Sequence, residues 1–212
     1  MSTPTELSMI TAVMSIESGR DCNKVEMDDT RGGYTDRSFD GHRTNWGWTQ
    51  ETLFSLGIDT DVKDLTFQDA YLLYRRVFMV KSGADRILPT NPHLAAAMFN
   101  ISVNAGWHTG VRLLQELLNT HNGMGSLWHD IAEDGLFGKQ TRLAYDAYME
   151  ARWSDGKDIL TMGYLVQFAN HYMDITKLSN RNEKYFYGWQ RRAYASFLEY
   201  FEDVIEAEKK ED

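Results

Sequence analysis

The stretch NPHLAAAMFNISVNAG, Asn91 to Gly106, sets the fold class. Asn91 can cap a helix and Pro92 suits the first helical position. From Leu94 to Val103 the residues are apolar nearly all round, the pattern of a helix enclosed by others at the centre of a domain. Helical signals continue on both sides. Downstream, TGVRLLQELLNTHNG is amphipathic, and DGLFGKQTRLAYDAYMEARW reads as a turn-rich loop followed by a helix. Two long helices follow, Ile159 to about Leu178 and Lys184 to about Ala207. Upstream, LTFQDAYLLYRRVFMVKSG is a helix with Thr66 as cap and Asp69 at the capping-box position. Thr49 to Leu56 is a short helix stopped by Gly57. The first helix starts with Thr3 as cap, Pro4 in the first turn and Glu6 closing a capping box. Leu7, Ile10, Val13 and Met14 give its apolar spacing, and Gly19 stops it. The expectation is a mostly α protein with at most one small β-hairpin, around Gly32-Gly33.

The composition excludes several functions. The 212 residues carry a formal net charge of −9 with no basic stripe, which disfavours nucleic acid and anionic membrane surfaces as partners. The N-terminus has no basic region before a continuous apolar run and no cleavage signature. It is therefore expected to be neither a signal peptide nor a membrane anchor, and the chain to be made in a cytoplasm. The six histidines lack ligand-like spacing. No metal and no other cofactor is expected.

Residues 22–48 have no sustained periodicity, and irregular stretches of this length in compact domains usually carry function. They include TRGGYTDRSFDGHRTNWGWT, Thr30 to Thr49, rich in glycine, aspartate and tryptophan. Glycoside hydrolysis usually needs one carboxyl group that donates a proton and another that stays ionised. Glu17 falls three and four residues after Met14 and Val13, on the apolar stripe of the first helix and near its C-terminal end. Burial there and the negative end of the helix dipole would favour the protonated form. The plainer reading is a polar residue at a fraying helix end. Trp46 and Trp48 are candidates for stacking on sugar rings, since their loop follows the helix that bears the acid.

These residues resemble glycoside hydrolase family 108, the N-acetylmuramidases common among phage endolysins. In that family the first helix ends in Glu-Gly-Gly-Tyr, followed by Asp-Pro-Gly-Gly-x-Thr and Asn-x-Gly-Ile-Thr. Here Glu17-Ser18-Gly19 ends the helix, about fourteen extra residues follow, and the loop resumes at Gly32-Gly33-Tyr34. It continues through Asp36, Asp40, Gly41 and Thr44 to Asn45-Trp46-Gly47-Trp48-Thr49. A second alignment, nearly ungapped, puts Arg31 in the glutamate's place. The residues before Arg31, VEMDDT, do not form an apolar helix, whereas ITAVMSI before Glu17 does.

Further segments extend the resemblance. LTFQDAYLLYRRVF and FNISVNAG look like later parts of the same family. VRLLQELL, EDGLFGKQT and YFYGWQRRAY resemble its associated type 3 peptidoglycan-binding domain. The Gly-Gly after the family's aspartate reads Gly41-His42 here, which leaves Asp40 and Asp36 both open as the second carboxylate.

The resemblance implies a muramidase domain over residues 1–106 and a helical peptidoglycan-binding domain over 107–212. It implies cleavage of the β-1,4 bond between N-acetylmuramic acid and N-acetylglucosamine. Glu17 would be the acid, and Thr44 would position water or carboxylate. Tyr34, Asn45, Trp46, Trp48 and Asn104 would contact substrate. The expected partner is bacterial peptidoglycan, reached by a monomer after a holin opens the host membrane. The rival readings are a non-catalytic wall-binding or assembly protein and a zinc amidase.

Overall fold

The computed structural model describes residues 3–35, 43–152 and 155–209. The protein is mostly helical, with one two-stranded antiparallel sheet among the described residues. The chain forms two compact units, Thr5–Phe78 and Met79–Asp212 with the first four residues.

The first unit begins with α1 (Glu6–Ser18). Its cap is Thr5 rather than Thr3. The Thr5 hydroxyl accepts from the Ser8 amide at 3.1 Å, and the Thr5 amide donates to the Ser8 hydroxyl at 2.9 Å. Serine three residues after the cap thus closes the box expected of Glu6, whose carboxylate instead pairs with Arg75 at 2.8 Å. Met9, Ile10, Val13 and Met14 are buried, and Leu7 is exposed. A single 3₁₀ turn, Cys22–Lys24, follows. Strands β1 (Thr44–Asn45) and β2 (Trp48–Thr49) pair with Asn45 opposite Trp48. Helices α2 (Gln50–Ser55) and α3 (Phe67–Tyr74) complete the unit, capped by Thr49 and by Thr66 with Asp69 as expected.

The hairpin turn is Trp46-Gly47, not Gly32-Gly33. Both turn residues have positive φ, 52° and 80°, as a two-residue loop matched to strand twist requires. Gly32 is used differently. A Cβ there would overlap the Trp46 indole, so its lack of a side chain lets the loop lie flat on that ring. The helix expected to run on from Thr66 changes at Arg75 into a π-helical turn, Arg75–Val80.

In the second unit, α4 (Ala84–Ile87) leads to α5 (Pro92–Ala105), the apolar helix from which the fold class was read. Leu94, Ala95, Ala97, Met98, Phe99 and Ile101 are buried, with α6 (Trp107–His121) and α8 (Gly156–Leu178) packed against α5. Helices α7 (Lys139–Ala151) and α9 (Glu183–Glu208) complete the unit. The Asp134-Gly135 loop is tied down by the buried Gln115. Its amide nitrogen donates to Asp134 at 3.0 Å and Thr141 at 3.0 Å, and its oxygen accepts from the Gly135 amide at 2.8 Å. Trp189 stacks on Tyr172 and Tyr185, which anchors α9.

Asn91 does more than cap α5. Its oxygen accepts from the Leu94 amide at 3.1 Å, and its nitrogen donates to the Lys157 carbonyl and the Thr161 hydroxyl, each at 3.0 Å. The residue is only 1% exposed. Asn91→Ala removes the cap and leaves buried groups unpaired. It should lower the unfolding free energy by about 2–3 kcal/mol in urea titrations, more than a solvent-exposed cap would. A loss below about 0.5 kcal/mol would show that water replaces the side chain at no cost.

Candidate functional site

The candidate site lies within the first unit, where the end of α1 meets the hairpin and the 30–34 loop. Two glycines make the close approaches. A Cβ on Gly33 would lie 2.6 Å from the Ser18 carbonyl oxygen. A Cβ on Gly47 would lie 2.8 Å from Glu17 Cβ and would overlap the Tyr74 hydroxyl. The loop and the turn can therefore sit on the helix end only because these positions lack side chains. Both glycines also have positive φ, 76° and 80°.

Glu17 is exposed, which corrects the expectation of burial. Its position on the stripe is as read, one turn beyond Val13 and Met14. The last turn before Gly19, whose φ is 69°, is covered on one side by the loop and the hairpin turn, while Ile16 and Glu17 are exposed. The Glu17 side chain is set against Gly47 and so against the hairpin turn.

The residues expected to contact sugar are placed unequally. Asn45 is fully buried, and its amide nitrogen donates to the Thr30 carbonyl at 2.8 Å and the Val62 carbonyl at 3.1 Å. Trp46 is fully buried. Its indole nitrogen donates to the Leu65 carbonyl at 3.1 Å and its ring meets Phe67 edge-on. Trp48 is 3% exposed, with its ring stacked on Phe78 and edge-on to Tyr74. The stacking role expected of Trp46 and Trp48 is corrected accordingly. Trp46 is covered by the Gly32 backbone and Arg20 with Phe67 edge-on, and Trp48 by Phe78 and Tyr74.

Tyr34 remains accessible, and its hydroxyl accepts from Arg43 at 3.3 Å. Thr44 is half-buried and exchanges two backbone hydrogen bonds with Thr35, at 3.0 and 3.1 Å. Asp36 and Asp40 lie outside the described residues. Asn104 belongs to the second unit, where its side-chain oxygen accepts from the Tyr172 hydroxyl at 2.8 Å.

Three residues at this end of the first unit had not been singled out for a role there. Arg20 lies over the Trp46 ring at 5.9 Å, Tyr74 donates its hydroxyl to the Trp46 carbonyl at 3.2 Å, and Lys63 lines a cavity. That cavity, of about 380 Å³, is lined by Arg20, Thr30, Arg31, Gly33, Tyr34 and Lys63. None of the three follows a motif at its own position. Tyr74 falls on the apolar face of α3, and the two cations come from segments distant in sequence from each other.

Arg31 makes a two-pronged pair with Asp29. Nε and Nη2 reach the two carboxylate oxygens at 2.9 and 2.8 Å, and the Arg31 amide adds a third bond at 2.7 Å. The Arg31 guanidinium first, and then its amide, hold the Asp29 carboxyl well down, at about 2. Arg43 pairs with Asp61, which also accepts from the Lys63 amide, and these bonds keep the Asp61 carboxyl below its ordinary value. Among the described residues no group of three or more His, Cys, Asp or Glu side chains is placed to hold a metal ion, and no helix is long and apolar enough to cross a membrane.

The Glycosyl hydrolase 108 family matches residues 22–106, and the family described as Predicted Peptidoglycan domain matches residues 109–194. No curated protein matches the chain. Among solved structures, SagA of Brucella abortus is similar in fold, with a TM-score of 0.56 and 19% identity over 91% of this chain and 92% of that one. The two family matches support a glycoside hydrolase that acts on peptidoglycan. The first match begins after Glu17 and includes Arg31.

The Asp29–Arg31 pair gives a pH prediction with a definite sign. A carboxyl whose folded pKa is depressed contributes stability above its unfolded pKa and loses it as pH falls through the folded value. For Asp29 that window runs from about 4 down to about 2. An NMR titration of the Asp29 carboxyl carbon should show a midpoint near 2. In Arg31→Gln the midpoint should rise without reaching the ordinary value, since the backbone bond remains. An unchanged midpoint would mean that the ion pair does not form in solution.

Proposed function

We propose that this chain, with its Glycosyl hydrolase 108 segment followed by a predicted peptidoglycan domain, is an N-acetylmuramidase that uses Glu17 as general acid. The bond cleaved is the β-1,4 linkage from N-acetylmuramic acid to N-acetylglucosamine. The observation that carries the assignment is the placement of Glu17 against Gly47 at the open end of α1. There the carboxyl can meet a solvent-borne glycan, and the hairpin fixes where the helix end sits. Asp40 or Asp36 supplies the second carboxylate, and Thr44 positions water or that carboxylate. Tyr34, exposed on the same loop, contacts the glycan.

We place hydrolysis in residues 1–106 and wall binding in 107–212. The biological setting we propose is that of an endolysin. A monomer accumulates in the host cytoplasm and reaches the wall once a holin opens the membrane.

A second reading has its own support. Arg31 stands where a nearly ungapped alignment would put the family's glutamate, and the matched segment starts only at Cys22. On that reading the chain binds wall or helps assembly without cutting it.

Reducing-end release from purified peptidoglycan separates the two. The parent chain should release ends, and Glu17→Gln should lower the rate by about 10²–10⁴-fold with melting unchanged, because the variant keeps the shape and loses the proton. A parent chain that binds wall but releases no ends establishes the second reading. Retained activity in Glu17→Gln places the acid elsewhere. EDTA should leave the rate unaltered, and a loss that zinc restores would point instead to an amidase.

A further inference from the structure

The chain is acidic overall, with a net charge of −9, yet among the described residues every charged side chain lining the 380 Å³ cavity is cationic. Arg20, Arg31 and Lys63 come from three separate segments, the end of α1, the 30–34 loop and the 3₁₀ turn Val62–Asp64. Among the described residues two carboxylates act on Arg31, Asp29 by direct pairing and Glu26 at longer range. Asp29, with a side chain 7% exposed, holds Arg31 at 2.8 Å and stands 4.0 Å from Arg20. Asp61, beside Lys63, is already committed to Arg43. Among the described residues, Asp29 and the more distant Glu26 against three cations leave the cavity with excess positive charge.

The cations are also held for use. Nε and Nη2 of Arg31 are fixed by Asp29, so the guanidinium has a set orientation while its side chain is 80% exposed. A guanidinium fixed on one edge keeps Nη1 donors for a second carboxylate, with little ordering entropy left to lose. Arg20 is constrained by the Trp46 ring. Tyr34, itself cross-braced by Arg43, gives the cavity an aromatic wall. Backbone packing ties the cavity to the candidate acid, since Gly33 in its lining rests on the Ser18 carbonyl, the residue after Glu17.

We infer that this cavity is a carboxylate subsite that binds the acidic substituent of a muramic acid residue, with Arg31 and Lys63 holding the charge and Tyr34 flanking the substituent's apolar part. The inference rests on the reading that the chain acts on peptidoglycan. In that polymer every second sugar carries a lactyl ether. Its carboxylate is free where the peptide has been removed, and otherwise the stem peptide bears the charge. The cavity suits one such group. A polyanion would also meet repulsion from a chain whose net charge is −9. Arg31 and Lys63 thereby make the protein select muramic acid glycans over neutral chitin-like ones, whose sugars offer the same rings without the charge.

The test uses the full chain and the disaccharide N-acetylglucosaminyl-N-acetylmuramic acid, which lacks the bond that a muramidase cuts. Three forms are titrated calorimetrically: the free lactyl acid, its methyl ester, and the form carrying a stem dipeptide with a free carboxylate. The parent chain should bind at least one carboxylate form about tenfold or more tightly than the ester, as expected for charge-assisted hydrogen bonds, and added salt should erode the difference. The tighter of the two acidic forms identifies which carboxylate is read. Arg31→Gln with Lys63→Gln should abolish the preference by weakening the acid forms to the level of the ester. Lys63→Gln alone, at an exposed side chain, should reduce the preference severalfold and guards against misfolding of the double variant. Equal binding of acid and ester by the parent, or a preference that survives the double change, overturns the inference. Reducing-end release by the parent, assayed alongside, keeps the two claims apart. Ends released without a carboxylate preference remove the subsite and keep the hydrolase. A preference without release keeps the subsite and removes the hydrolase.

Discussion

The first unit depends on the side-chain amide of Asn45. Fully buried, it donates to carbonyls of Thr30 and Val62, two segments that share no secondary structure. Next to it, Trp46 repeats the arrangement with its backbone amide to Gly32 and its indole nitrogen to Leu65. Irregular backbone can be buried only if its polar groups find partners, and here two adjacent residues supply them for two separate stretches of chain. The left-handed φ of Trp46, costly for a bulky residue, is held by these bonds and by the rings packed around it.

From that constraint the rest of the site follows. With the 30–34 loop pinned to the 62–65 turn, Arg31 and Lys63 line the same cavity. With the hairpin fixed, Gly47 comes to rest against Glu17 and Tyr74. The chemistry-bearing groups are exposed, whereas the groups that position them are buried. Trp48, Tyr74 and Phe78 form the layer beneath, where mutual packing of aromatic faces takes the place of solvent contact.

Helices were legible in the sequence because caps and periodicity act locally. Asn91 before Pro92, and Thr66 with Asp69, mark helix starts that the structure reproduces. Thr3 failed as a cap because Thr5 with Ser8 forms an equivalent box two residues later, and short hydroxyl side chains make such boxes interchangeable. The loop's aromatic residues were legible as important but not as buried. Tryptophans in a glycine-rich loop have the same spacing whether they face a sugar or Phe67 and Phe78. The cavity's charges could not be read at all, since Arg20, Arg31 and Lys63 come from separate segments that the bonds of Asn45 and Trp46 and the Asp29 carboxylate bring together. Family resemblance gave the order of segments, and it left open which residue stands at the acid's place.

The π-helical turn at Arg75–Val80 can be viewed as a matter of counting. Such a turn holds about one residue more than an α-helical turn of the same height, so it behaves as an insertion absorbed without a loop. Deleting one residue between Tyr74 and Phe78 would let the segment relax to an ordinary helix. The same deletion would move Met79 into the seat of Phe78, exchanging the ring stacked on Trp48 for a flexible thioether. Chain length here is therefore coupled to side-chain identity. The helix can lose a residue and remain a helix, but the aromatic layer under the candidate site would then be built from a different side chain.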